Sequence, residues 1–419
     1  MVSADLKKQQ AAFAHFYERY ADDAAFLWLL FFYGANQPHY TAKDLTELEK
    51  RVDANLDALL VAPEQAWEIC ENSMSLGVGE VFSASVFAFR SLEVTKIQRV
   101  VEVGLSEVSN HSGLISAMAW LPGRLVHSWI KRFLQSKDLN HKYLALAVCS
   151  ERREDPVELL QVILSREDCI KHPLLYPRAL RLVGELKRFD LVPSLHKGIT
   201  SDNSAAVFWS YWSLILMGDK SQVGNLQPYV LQENPFQMDA FEICFRSLPV
   251  QQARSWINIL SSNPAQKHLV IKASSILGDP QVVSWLISQM KIPVLTRLAG
   301  EAFTNITGID LVENKLALES LPDLDNQLPE DKNNESVEMN EDEYLPFPDV
   351  NKIAAIWQKY QQRFEVGQRY FMGRSISVDH LNDIYANGKQ RQRRAAALEF
   401  ALIAPEQFLL NHASRGLPE

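Results

Sequence analysis

Apolar residues recur at intervals of three and four along most of the chain, the period of one helical face. Leu45, Leu48, Val52, Leu56, Leu59 and Leu60 form such a stripe behind Thr41-Ala42-Lys43-Asp44, whose acceptors suit a helix N-terminus. Pro63 opens another helix with Ala66, Ile69 and Cys70 on one side. Upstream, the apolar run from Ala24 to Tyr33 follows Asp22-Asp23 and stops at Gly34-Ala35-Asn36-Gln37-Pro38. It is about half as long as the roughly 20 residues a membrane span requires. It predicts a helix buried on most sides, with a membrane-surface or partner-docking segment as the alternative. Strand-like alternation persists nowhere, so little or no sheet is expected.

The middle of the chain repeats itself. Three segments pair an apolar helix with a Gly-acid turn and a second short apolar helix. Their turns are Gly184-Glu185, Gly218-Asp219 and Gly278-Asp279-Pro280. A weaker copy turns at Ser247-Leu248-Pro249, and degenerate copies turn at Ser91, Pro122 and Ser150. From Ser91 onward the steps are 31, 28, 34, 34, 31 and 29 residues. Such a period, with two helices per unit, predicts an all-α fold: a right-handed, HEAT-like (armadillo-like) α-solenoid. A single hairpin cannot bury its apolar face, whereas stacked neighbours can. Glycine suits the end of the first helix, because it adopts a left-handed cap without penalty. The following Asp or Asp-Pro opens the second.

Four regions follow: an N-terminal helical unit at 1–75, the solenoid at 76–310, an acidic flexible linker at 311–345 and a C-terminal helical unit at 346–419. In the last, Ile353, Ile356, Trp357 and Tyr360 make one stripe, a second helix starts near Ser377 and ends at Gly388, and a third runs from about Gln390 to Leu402. The linker stands out by charge. From Glu319 to Glu343 ten acids face the single base Lys332, so this stretch carries the whole formal charge of −9 of the 419 residues. With Pro322, Pro329 and Pro346, it cannot bury enough apolar surface to offset the cost of ordering. The remainder is neutral, and neither this nor the pI of 5.7 favours nucleic acid, whose binding needs a surplus of cations.

Little chemistry is legible. Cys70, Cys149, Cys169 and Cys244 are scattered without CxxC spacing, as in a reduced, cytoplasmic protein. The N-terminus lacks a signal-peptide layout. The ten histidines form no metal-ligand pair such as HExxH, and GxSxG, P-loop and dinucleotide fingerprints are missing. Neither a cofactor nor a metal is expected, and no catalytic residue is assigned. Two features qualify as partner-binding candidates. The cluster Lys389, Arg391, Arg393 and Arg394 reads as a solvated helix face or as a dock for an acidic segment, in cis or in trans. Trp209 lies off the face shared by Phe208, Tyr211 and Trp212, and would line the open surface of a solenoid.

Several strings carry a family likeness. They are Ala24-Ala25-Phe26-Leu27-Trp28 with Pro38-His39-Tyr40-Thr41, Arg297-Leu298-Ala299-Gly300-Glu301-Ala302-Phe303 with Ile306-Thr307-Gly308-Ile309-Asp310-Leu311, and Leu345-Pro346-Phe347-Pro348-Asp349. Arg369-Tyr370 with Gly373-Arg374, and Gly388-Lys389-Gln390-Arg391-Gln392-Arg393, complete the set. Across nearly its whole length the chain resembles an uncharacterised proteobacterial family of HEAT-like repeat proteins encoded near type VI secretion genes. The resemblance implies a cytoplasmic accessory: an adaptor or chaperone that holds a type VI effector or spike component before export. An immunity protein neutralising an effector is the alternative, and a bilin-lyase-like enzyme a more remote one. It supplies no catalytic residues. Arg297, Gly300 and Glu301 are read as a structural signature closing the solenoid, with Gly300 allowing close helix packing and Glu301 pairing with a neighbour.

Overall fold

The structure, a computed structural model, describes the backbone of residues 2–318 and 342–415, with side chains from residue 15 onward. The described residues are overwhelmingly helical. The first helices are α1 (Val2–Gly34), α2 (Ala42–Leu59), α3 (Pro63–Ser73), α4 (Val78–Ser91), α5 (Val94–Ser106), α6 (His111–Trp120) and α7 (Gly123–Gln135). They are followed by α8 (Leu139–Arg152), α9 (Glu158–Ser165), α10 (Glu167–Ile170), α11 (Leu175–Glu185), α12 (Val192–Ile199), α13 (Ser204–Leu216) and α14 (Gln227–Leu231). The rest are α15 (Gln237–Ser247), α16 (Val250–Ser261), α17 (Lys267–Leu277), α18 (Val283–Gln289), α19 (Thr296–Thr307), α20 (Val350–Tyr360), α21 (Val378–Asn387) and α22 (Gln390–Ile403). Among the described residues, strands are confined to one two-residue antiparallel pair, β1 (Tyr370–Phe371) and β2 (Arg374–Ser375), with Tyr370 opposite Ser375.

The chain forms two compact units. One comprises Met1–Asn36, Tyr40–Ser210 and Phe408–Glu419; the other comprises Gln37–His39 and Tyr211–Gln407. The division falls within α13.

In the first unit α4 packs on α6, α6 on α8 and α8 on α11, while α5 and α7 lie alongside. Phe82, Phe87, Leu114, Met118, Leu144, Val148, Leu180 and Val183 form its fully buried interior. The 75/76 boundary expected from sequence is not a break in this packing. Trp28 of α1 stacks on Phe82 of α4 with ring centroids 4.6 Å apart, and a Cβ on Gly79 would come within 3.0 Å of the Ala25 carbonyl. Within the apolar run, Ala24, Ala25, Leu27, Trp28 and Phe31 are buried, whereas Phe26, Phe32 and Tyr33 are exposed. Among the described residues no helix is long and apolar enough to cross a membrane.

In the second unit α15 packs on α17 and α17 on α19, with α16 and α18 beside them. The expected C-terminal unit at 346–419 is not a separate body. Ile353 and Trp357 of α20 are buried in one cluster with Leu286, Leu298 and Phe303. The linker also differs from expectation at both ends. Leu311 and Leu316 are buried in that same cluster, the Leu318 N–H donates to the Phe347 carbonyl at 2.8 Å, and Asp349 N–H donates to Leu316 at 2.7 Å. An antiparallel bridge joins Ala317 and Pro348. The described residues on either side of the acidic stretch therefore pair with each other within one unit, and the stretch does not join two bodies. Most of that stretch, 319–341, lies outside the described residues.

The expected repeat turns coincide with helix ends. α4, α6, α8, α11, α13, α15 and α17 end within two residues of Ser91, Pro122, Ser150, Gly184, Gly218, Pro249 and Gly278. The expected glycine caps are found at Gly218 and Gly278, whose φ angles are +104° and +74°. At the earlier turns the left-handed position falls on larger residues: Leu92, Arg153 and, displacing the expected Gly184, Lys187. Gly184 itself is buried inside α11.

At Gly278 an added Cβ would lie 2.1 Å from the Tyr370 carbonyl. Gly278→Ala is therefore expected to destabilise by about 2 kcal/mol or more, from backbone strain plus the clash. Gly224→Ala, where nothing lies within 4 Å, should cost far less. Urea unfolding midpoints of the two variants test the difference.

Candidate functional site

The basic cluster at the start of α22 and the signature string on α19 fold against each other. The Arg391 guanidinium donates to both Glu301 oxygens, at 2.9 and 3.1 Å, and lies 3.8 Å from Asp342. Lys389 reaches Asp310 at 3.2 Å, and its backbone N–H donates to Gln392, tying down the first turn of α22. Arg394 lies 3.9 Å from Asp239, and Arg393 covers the Tyr385 ring at 5.0 Å. Burial pushes the Glu301 carboxyl above its ordinary value, with Asp342 adding to the effect and Arg391 opposing it. Arg297 donates to the Glu343 carbonyl and stacks on Phe347 at 4.8 Å. Gly300 leaves room for Leu311, whose Cδ1 would stand 3.0 Å from an added Cβ. The two sets of candidates thus meet in one cluster, and two contacts of it, Asp342 and the Glu343 carbonyl, belong to the acidic stretch.

Beneath this surface lies an ion cluster that sequence reasoning missed. Glu399 and Arg246 are both buried. The Arg369 guanidinium donates to Glu399, to the Leu277 carbonyl at 3.0 Å and to the Arg246 carbonyl at 2.7 Å. The next residues continue the pattern. Tyr370 N–H donates to Gly278 at 2.8 Å, Met372 N–H to Asn305 at 2.6 Å and Gly373 N–H to Ile306 at 3.1 Å. One short segment therefore satisfies carbonyls at the C-terminal ends of α15, α17 and α19. Close approach requires small residues here: an added Cβ on Gly308 would lie 2.5 Å from the Met372 carbonyl, and one on Gly373 would lie 2.6 Å from that of Thr307.

The first unit has its own cluster. Glu185, at the end of α11, is fully buried and engages Arg181 at 2.9 Å, Arg153 at 3.4 Å and the Ser150 hydroxyl. Burial acts to raise its pKa, but Arg153, Arg181, Arg178 and Ser150 outweigh that and hold it at about 2. Arg181 also lies 4.2 Å over the Trp209 ring. Trp209 is thus buried beneath a guanidinium and does not line an open surface, in contrast to expectation. Its neighbour Ser210 is fully buried. The tail 408–415 lies against this region: Leu409 N–H donates to Glu185 at 2.8 Å, and Arg153 donates back to the Leu409 carbonyl at 2.6 Å.

Guanidinium–carboxylate pairing dominates these clusters, an arrangement suited to holding surfaces in register. All four cysteines are buried, and burial raises each thiol above its ordinary value. Among the described residues no group of three or more His, Cys, Asp or Glu side chains is arranged to hold a metal ion. No protein-family model matches the chain, and no curated protein or solved structure matches it.

Two outcomes are expected. Glu301→Ala should lower stability because it strands Arg391, and the cycle with Arg391→Ala should show a coupling of about 1–2 kcal/mol in urea unfolding. For Glu185, the pKa in the folded protein lies below the ordinary 4.5. Its contribution is therefore complete above that value and is lost as pH falls towards 2, a change of about 3 kcal/mol. Glu185→Gln should flatten the pH dependence of the unfolding midpoint in that window.

Proposed function

We propose that the chain is a non-catalytic protein-binding scaffold, a right-handed HEAT-like α-solenoid acting as a cytoplasmic adaptor or chaperone for type VI secretion cargo. The observation that carries this reading is the regular succession of helix pairs, α4 on α6 on α8 on α11 and again α15 on α17 on α19. Stacking of that kind buries one face of each pair and leaves long surfaces on the others, the geometry with which repeat proteins grip partners. The cellular context rests on the family likeness of the strings around Arg297, Arg369 and Lys389.

The partner is accordingly an effector or a spike component of the secretion machine. Nucleic acid is disfavoured by the neutral balance outside the acidic stretch, since phosphate recognition draws on surplus cations. The candidate cations also have local occupations: Arg391 is held by Glu301 and Lys389 by Asp310.

Affinity purification of the tagged full-length protein from native cells is expected to recover an effector or spike protein. Deletion of the gene should leave cells healthy while abolishing delivery in a sibling-competition assay. Recovery of neither component sinks the adaptor reading, and toxicity of the deletion only in the presence of a neighbouring effector replaces it with the immunity role.

A further inference from the structure

We propose that the track over the C-terminal ends of α6, α8 and α11 is a docking surface for an extended, arginine-bearing segment of another protein, occupied in this structure by the chain's own tail, Phe408–Arg415. The inference deepens the scaffold reading and rests on it.

Three contact points define the track, each at the end of a different helix. At α11 the Glu185 carbonyl accepts the Leu409 N–H, and the Leu409 carbonyl accepts from Arg153. These are backbone contacts and place no demand on the side chain at that position. At α8 the Glu151 carbonyl accepts from the Asn411 amide at 2.8 Å, with the Glu151 carboxylate 3.3 Å away. At α6 the Arg415 guanidinium meets both Asp53 oxygens, donates to the Trp120 carbonyl at 3.2 Å and stacks 4.8 Å over the Trp120 ring.

The last point is a built guanidinium receptor. Asp53 comes from α2 and is fixed by the Trp120 indole N–H at 3.1 Å and by Arg90 of α4 at 2.8 Å. The carboxylate and the aromatic face are thus oriented by the body of the unit, whether or not Arg415 is present. A carboxylate beside an aromatic ring selects arginine, which pairs in plane and stacks at once. The pattern read by the track is a backbone-paired residue, an amide two positions later and an arginine four positions after that.

The way the tail is held points to exchange. From Phe408 to Arg415 no residue is fully buried: Phe408 and Ser414 are exposed and the residues between and beside them are half-buried. Association therefore combines partial burial with hydrogen bonds and ion pairs, each of modest net worth. What favours the tail is tethering, which gives it a high effective concentration at the track. A partner segment with the same pattern competes once the tail is weakened or once a second contact holds the partner close.

The test uses the full-length protein and a labelled, amidated peptide of sequence Phe408–Arg415, followed by fluorescence anisotropy. The wild-type protein should bind the peptide weakly, because its own tail fills the track. The variant Asn411→Ala/Arg415→Ala should bind it at least tenfold more tightly. Adding Asp53→Asn to that variant should reverse the gain. The proposal is overturned if the emptied variant binds no more tightly than wild type, or if circular dichroism shows that releasing the tail unfolds the protein, which makes the tail an integral element. Either failure leaves affinity purification from native cells as an independent check on the scaffold reading.

Discussion

Every α-helix leaves its last four carbonyls without partners inside the helix, and in this protein the supply of donors to those groups organises both units. The helices are short, so ends are frequent. Stacking α4, α6, α8 and α11 brings several ends together, each with the partial negative charge of its dipole. Water could satisfy isolated ends, but a packed row needs donors that fit. Arginine does so with several N–H groups in a fixed plane. Arg152 at the end of α8 donates to Ala119 and Leu121 at the end of α6, and Arg153 folds back on Ser150 before reaching Leu409. In the other unit Arg369 spans the ends of α15 and α17 while the following N–H groups serve α17 and α19.

The same arginines answer a second problem. Glu185 sits at the last position of α11, where the helix dipole disfavours negative charge, and burial disfavours the charge of both Glu185 and Glu399. Each is held by more than one guanidinium, and removal of a partner would leave an uncompensated buried charge. Closure of these clusters depends on long loops. Arg153 meets a residue 256 positions away, and Arg415 meets Asp53 across 362 positions. These contacts of the first unit therefore form only once Leu409 and Arg415 have been made.

Sequence reasoning reached the helices and their ends because local signals set both. Apolar spacing marked the faces, and Gly, Pro, Ser and Asp marked the stops, so Ser377 caps α21 and α22 starts at Gln390 as the pattern requires. The clusters were only half legible. Glu301 was expected to find a neighbour, and Arg391 read as part of a solvated helix face or a dock for an acidic segment, yet nothing local links two residues 90 positions apart. Glu399 and Arg246 passed unnoticed because each reads as a solvated charge on an amphipathic helix. Trp209 was misplaced for the converse reason. Periodicity assigned one buried face to α13 and left Trp209 off it, whereas Arg181 caps the indole. The ends of the acidic stretch were assigned to a linker because its charge masked two apolar pegs, Leu311 and Leu316.

Charge in this chain falls into two populations with different physical roles. Within the units, many of the cations are bound to carboxylates, carbonyls or rings, and their work is structural and short-ranged. The formal excess of −9 resides instead between Glu319 and Glu343, a stretch whose described ends are pegged by apolar side chains and by Arg297 and Arg391. Short-range pairs in partly buried sites resist screening, whereas an unbalanced run of like charge acts over a Debye length of about 8 Å at physiological ionic strength and fades as salt rises. The net charge of the protein therefore says nothing about the surfaces formed by the helices. Recognition on those surfaces must come from shape and from the geometry of individual donors and acceptors, of which the carbonyl row at the helix ends is the most ordered example.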